Sequence, residues 1–239
     1  MNFNMIDMAI IGVILLFGLI GWYRGFLNSL MHTISAIAAV IVAMFGYHQI
    51  GAFLIEKFNA LNFVLQFTDA GEMIGNIELS RTVITAASEQ EIAKAAQNCT
   101  AVPQFMIRLI EKNIANKAFA DQGLATIEEY FNQTIAISVL HVVSFVALFI
   151  VAFFVFELIV GSVGAAVRPP VLRQFDSVAG MVVGLLIGVL FVRVLFMLVP
   201  TGMSILGIAK IQEWFTSSAI GSIFYNSAFL VRHIRGTLG

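Results

Sequence analysis

Four long apolar runs and one polar interval organise the chain. The first run covers about Met5 to Tyr23, which at about 1.5 Å per residue crosses roughly 30 Å of hydrocarbon with little tilt. Trp22, Tyr23 and Arg24 close it, the aromatic and basic residues that suit a membrane–water boundary. A second run follows almost at once, from Phe26 to Phe45 with an extension to Ile55, and so short a connection makes it an antiparallel neighbour. Ser35, Ala36, Ala39 and Ala43 supply it with small residues for close packing. The third run, Ile135 to about Val167, exceeds a bilayer's thickness and must tilt or project beyond it. Arg168-Pro169-Pro170 stops it, because proline lacks an amide donor and restricts the residue before it. The fourth runs from Asp176 or Ser177 to about Val199 and ends at Pro200-Thr201-Gly202.

Within the fourth run, Gly180, Gly184 and Gly188 recur at every fourth position. At about 100° per residue they drift by only about 40° a step, forming one shallow groove where another backbone can approach. In water each would cost about 1 kcal/mol relative to alanine, whereas in a membrane small residues are how helices pack. Gly18, Gly21 and Gly25 repeat the device in one narrow sector of the first helix. All six are read as helix-packing positions.

From Glu56 to Asn132 the pattern changes, with ten acidic and six basic residues breaking the apolar run. Ser88-x-x-Glu91 and Thr126-x-x-Glu129 have the form of capping boxes, the first opening a short helix to about Gln97 and the second lying just before the third run. After Pro103, Ile107, Ile110, Ile114 and Ala118 share one helical face opposite Arg108, Glu111, Lys112 and Lys117. That helix lies on the membrane surface, covers the bundle or binds a partner; periodicity does not choose among these. Beyond residue 200, Ile220, Ile223, Phe224 and Phe229 favour an interfacial amphipathic helix over a fifth span. The resulting division is 1–55 (hairpin of helices 1 and 2), 56–132 (extramembrane helical loop), 133–200 (hairpin of helices 3 and 4) and 201–239 (amphipathic tail). The expected fold is an all-α polytopic membrane protein with four transmembrane helices.

Composition agrees with this reading: 59% of residues are hydrophobic, 11% are charged and the mean hydropathy is +0.94, in the range of polytopic membrane proteins. A net charge of -1 without a basic face argues against nucleic-acid binding. The single cysteine, Cys99, excludes an intrachain disulfide and a thiol pair for zinc or redox chemistry. The N-terminus carries Asp7, no basic region and no A-x-A-like cleavage site before Arg24, so it is read as a retained first helix. Arg24, Arg168 and Arg173 in the short connectors favour a cytoplasmic side for both, with the long loop and both termini outside; Arg232 and Arg235 weigh against this.

Two sets of charges stand out. Asp7 and Arg24 are seventeen residues apart on the first helix, and Asp176 and Arg193 are seventeen apart on the fourth, which runs the opposite way. Were these helices neighbours, Asp7 would meet the level of Arg193 and Arg24 that of Asp176, as a charge register. Asp7 also has a plainer role at the start of its helix, where free amides favour a carboxylate. Glu157, deep in the third run, is costly unless protonated or paired, and with His32 and His141 it makes a candidate ionisable pathway. The plainer alternative is a set of buried polar groups bonded to hydroxyls or carbonyls. Gly161-Ser162-Val163-Gly164 is not a nucleophile elbow, H-E-x-x-H is missing and the four histidines lack metal-ligand spacing, so no catalytic residue, metal or cofactor is assigned.

The segments I-D-M-A-I-I and G-W-Y-R-G-F of the first helix and F-D-S-V-A-G-M-V-V-G-L-L-I-G of the fourth resemble the colicin V production protein (CvpA) family of bacterial inner-membrane proteins. The resemblance rests on Asp7, Gly21, Arg24, Gly25, Asp176, Gly180, Gly184 and Gly188. The chain departs from it at Ile187, where an arginine is usual, and at Asn28 and Ser29, where an acidic residue is usual. The resemblance implies a multi-pass inner-membrane protein that supports peptide-toxin production or secretion, or envelope homeostasis, with no enzymatic activity or cofactor. Expected partners are membrane lipids, membrane or periplasmic proteins and a second copy of the chain. The alternative is an oligomeric transporter or channel with Glu157 in a polar path.

Overall fold

The computed structural model describes residues 4–99, 102–164, 173–199, 201–202, 217–226 and 237. Among them the secondary structure is helical, apart from one isolated antiparallel bridge between Val83 and Thr126. Four helices are long and apolar enough to cross a membrane, within Met5–Arg24, Phe26–Phe58, Ile127–Ser162 and Phe175–Leu195. The connector at 168–172 and most of the tail, including Phe229, Arg232 and Arg235, lie outside the described residues.

Helix α1 (Met5–Arg24) opens with a reciprocal capping box. The Asn4 side chain accepts the amides of Ile6 and Asp7, and the Asp7 carboxylate accepts that of Asn4 at 2.9 Å. Gly25, with φ of 80°, makes the whole connection to α2 (Phe26–Phe58) in a single residue. Helix α2 runs past Ile55 to Phe58, where Asn59 (φ 51°) turns the chain.

Five short helices follow: α3 (Ala60–Leu65), α4 (Ala70–Ile74), α5 (Ile77–Ser80), α6 (Glu89–Asn98) and α7 (Gln104–Ala115). Asp69, Asn76 and Ser88 cap α4, α5 and α6 with their side chains, the last in the full Ser88–Glu91 box. The third long helix, α8 (Ile127–Gly164), begins eight residues before the expected Ile135. The Thr126–Glu129 box satisfies its first amides, and Ile127 donates back to the Thr82 carbonyl at 3.0 Å. Helices α9 (Arg173–Leu195) and α10 (Gly221–Asn226) complete the described set.

Two compact units result. The first holds the described residues of Met1–Tyr47, Phe145–Met197 and Trp214–Ser227. Its centre is the pair α1 and α9, packed backbone to backbone. A Cβ placed on Gly180 would fall on the Gly21 carbonyl oxygen, one on Gly184 on the Phe17 carbonyl, and one on Gly188 would come within 2.9 Å of the Ile14 Cα. Rising positions on α1 thus meet falling positions on α9, and the two helices are antiparallel.

The second unit holds the described residues of His48–Ser144, Leu198–Glu213 and Ala228–Gly239. Its core is made of large side chains, with Ile74, Met106, Ile110, Phe119, Ile127, Tyr130, Phe131 and Ile135 all essentially inaccessible. Each such side chain contributes about 1.5–3 kcal/mol when withdrawn from water. Met106, Ile107, Ile110 and Ile114 show where the apolar face of α7 goes: into this core, with Arg108, Glu111 and Lys112 exposed. Cys99 is buried in the same core, which pushes its thiol up to about 12 and keeps it unreactive.

Candidate functional site

Three helices of the first unit bring ionisable groups together. Arg24 is the last residue of α1, and the one-residue turn at Gly25 sets α2 beside it. Ser29, His32, Ala36, Ala39 and Ala43 recur every three or four residues on α2 and are buried, so periodicity turns His32 inward. Glu157 projects from α8 one turn beyond Phe153.

The Glu157 carboxylate is shared. Its Oε1 lies 2.6 Å from His32 Nδ1, and its Oε2 accepts from Arg24 Nη1 at 3.3 Å. The His32 side chain is 6% exposed, that of Glu157 17% and that of Arg24 39%, so the triad grades from interior to surface. A carboxyl group in an apolar segment is costly without partners, and here it has two.

A cavity of about 190 Å³ adjoins the triad. Phe17, Ile20, Phe153, Phe154 and Ile187 wall it, with Gly21 and Gly184 admitting backbone, while Arg24, Ser29, His32 and Glu157 supply the polar groups. The carboxylate that meets Arg24 comes from α8. The arrangement can hold an ion pair between Arg24 and Glu157, with the His32 ring hydrogen-bonded to the same carboxylate.

The other sequence candidates take different places. His141 belongs to the second unit, fully buried, its ring 4.8 Å from that of His48 and edge-on to it. Gly51 makes room there, since a Cβ on it would stand 2.9 Å from the His141 ring. The structure therefore joins Glu157 to His32 and pairs His141 with His48.

The crosswise charge pairs need correction. Helices α1 and α9 are antiparallel neighbours, but Arg24 pairs with Glu157, and both aspartates take hydrogen-bond donors at the starts of helical turns. Asp176 Oδ1 accepts the Phe26 amide at 2.9 Å and caps α2 in place of Gly25, which has no side chain to do so. A side chain on Gly25 would collide with that carboxylate. Asp7 is fully buried; its Oδ1 accepts from Ser218 Oγ at 2.6 Å and the Ile220 amide at 2.7 Å, just before α10. Arg193 keeps a buried Nε without a hydrogen-bond partner among the described residues. The physical reason is competition: free amides at a helix start are fixed and prepaid in entropy, whereas a long arginine must be immobilised to pair.

Of the packing glycines, Gly21, Gly180, Gly184 and Gly188 face backbone across the α1–α9 contact, Gly18 faces the Leu185 side chain and Gly25 faces Asp176. Sequence reasoning missed Asn4, Ser29, His48 and Ser218. The Asn4-x-x-Asp7 spacing was a usable signal for the first; Ser218 carries none.

A family model described as Colicin V production protein matches residues 6–86 and 117–228. The unmatched interval contains α6 and α7. No curated protein and no solved structure matches the chain.

Proposed function

From the premise that this chain belongs to the colicin V production protein family, we propose that it works as a non-enzymatic protein of the bacterial inner membrane. In this reading it supports toxin production or secretion, and envelope homeostasis, by contacts with membrane or periplasmic proteins. Family membership supports the role in colicin V production, and the observation that carries the reading further is where the match falls. It runs through all four long helices and passes over α6 and α7, which supports reading the matched part as a membrane scaffold and the unmatched part as a partner surface. The exposed charges Arg108, Glu111 and Lys112 on α7 suit such a surface, because the apolar face of that helix is already used internally. Removing the protein from a toxin-producing bacterium is expected to lower toxin in the medium, with recovery on re-expression. A photo-crosslinker at Glu111 should then capture a partner. Unchanged toxin levels would overturn the reading.

The triad favours a second reading, an oligomeric transporter or channel with Glu157 in its polar path. Four helices seldom enclose a substrate site alone, so a second copy would complete it. The chain reconstituted in liposomes under a proton gradient should then show flux that Glu157→Gln abolishes. Equal flux in both proteins, or none, removes this reading.

A further inference from the structure

The second unit holds a polar cluster that neither reading of the function uses. On α8, Ser138, His141 and Ser144 recur at three-residue steps, which at about 100° per residue keeps them within one sector of about 120°. All three are 0% exposed. On α2, His48 and Gly51 are also three apart and face this sector: the His48 ring stands 4.8 Å from that of His141, and a Cβ on Gly51 would come within 2.9 Å of the same ring. Glycine at position 51 is thus what admits the imidazole. All five residues belong to one unit.

Two observations point beyond packing. The first is the pair of imidazoles itself, because histidine is the commonest metal-ligating side chain. Two rings that bind one ion through nitrogens about 2.0–2.1 Å from it have centroids about 5 Å apart, close to the separation of these two. The second is a pair of buried hydroxyls. Ser138 Oγ and Ser144 Oγ are inaccessible and have no hydrogen-bond partner among the described residues, a costly state for a buried polar group. Ser144 Oγ also shares a side with the imidazole nitrogen: it and His141 Nε2 lie 3.7 and 3.4 Å from one point, the Cβ position of Gly51.

We propose that His48 and His141 together ligate one transition-metal ion, with the Ser144 hydroxyl as a further oxygen donor. The donors select the class of ion. Imidazole nitrogen suits copper, nickel and zinc, whereas calcium and magnesium take shells of oxygen, usually with carboxylates, and the cluster contains no Asp or Glu. Copper(II) binds most tightly of the three, following the general order for such sites. Half-buried His48 gives the way in, and enclosed His141 fixes the depth of the ion. The two histidines lie on different helices, so no ligand spacing along the chain announces them.

The test titrates the full chain, purified in detergent without a histidine tag, with salts of copper(II), nickel(II) and zinc(II). One equivalent of copper is expected to bind, with paramagnetic resonance showing coupling to two imidazole nitrogens. His48→Gln should lower the affinity at least tenfold and remove one of those couplings; because His48 is half-buried, this variant carries the test even where His141→Gln fails to fold. Ser144→Ala should weaken binding a few-fold. His233→Ala, which alters a histidine of the tail, should leave affinity and couplings as in the wild type. Copper held by fewer than two imidazoles, or held as tightly by His48→Gln as by the wild type, would overturn the proposal and leave the rings as a packing contact. Failure of all three ions to bind would overturn it as well. None of these readouts depends on toxin production or flux.

Discussion

The two units of this chain differ at their closest helix contacts, although the first also buries Phe145 and Phe149. In the first, α1 and α9 approach until backbone meets backbone at Gly21, Gly180 and Gly184, and large side chains such as Leu15, Leu16, Leu19, Val182 and Leu186 face outward. In the second, Phe119, Tyr130, Phe131, Met106 and Ile110 fill the interior. The difference fits the expectation that residues 56–132 lie outside the membrane. Lipid tails are as apolar as leucine, so burying leucine between helices gains little there, and close dispersion contact with hydrogen bonding must join them. Where water is the alternative, burial of large apolar side chains is itself the driving force.

The comparison can be broken most severely at the glycines. Gly184→Leu puts a side chain where even a Cβ meets the Phe17 carbonyl, and backbone on both sides cannot yield. The expected cost is upward of about 3 kcal/mol, seen as loss of the monodisperse peak in detergent chromatography. Gly12→Ala, on the same helix pair but with open space at its Cβ, should leave that peak unchanged. Equal damage from both would show that close approach does not govern these positions.

Next comes the side-chain core. Ile110→Ala removes a fully buried side chain and should cost about 2–5 kcal/mol, read as a lower thermal midpoint, while the α1–α9 pair stays assembled by a crosslink between cysteines placed across it. Loss of that crosslink at temperatures where the wild type keeps it would mean the two regions fold as one.

A smaller effect is expected at the acid that caps α2. Asp176→Ala leaves the Phe26 amide without its acceptor and should cost about 1 kcal/mol, whereas Asp176→Asn keeps an acceptor oxygen and most of the stability. If Asn proved as damaging as Ala, the charge rather than the hydrogen bond would be what α2 needs.

The smallest effect is a pH dependence. The Ser88 amide and then the Ser88 hydroxyl hold the Glu91 carboxyl below its usual range. Its stabilisation of α6 is therefore present above the unfolded-state value and is lost as pH falls through the lower folded value. Glu91→Gln should be less stable than wild type at neutral pH, with the gap closing in acid. A gap that persists unchanged in acid would contradict the assignment.

Much of the architecture was legible because its causes are local. Long apolar runs mark the four spans, and the Ser88–Glu91 box marks the start of α6, while Thr126–Glu129 starts α8 itself, eight residues before the expected Ile135. The same local logic, applied to Asn4 and Asp7, would have found the start of α1. The apolar stripe of α7 was visible as well. What periodicity left open was its destination, because a face that avoids water reads alike whether it meets lipid, a partner or its own core.

The candidate site was less legible. Glu157, His32 and Arg24 stand out singly as charges in apolar surroundings, but nothing local says which will pair. Matching levels on α1 and α9 suggested ion pairs, yet level is only one coordinate, and rotation of each helix about its axis decides which groups meet. By itself the sequence determined the spans, the helix starts and the stripes of small or apolar residues, all set by neighbours within one or two turns. Only the tertiary structure decided the partners of Asp7, Asp176 and Glu157. These lie 211, 150 and 125 positions away along the chain, and the geometry that selects them exists only once the helices have packed.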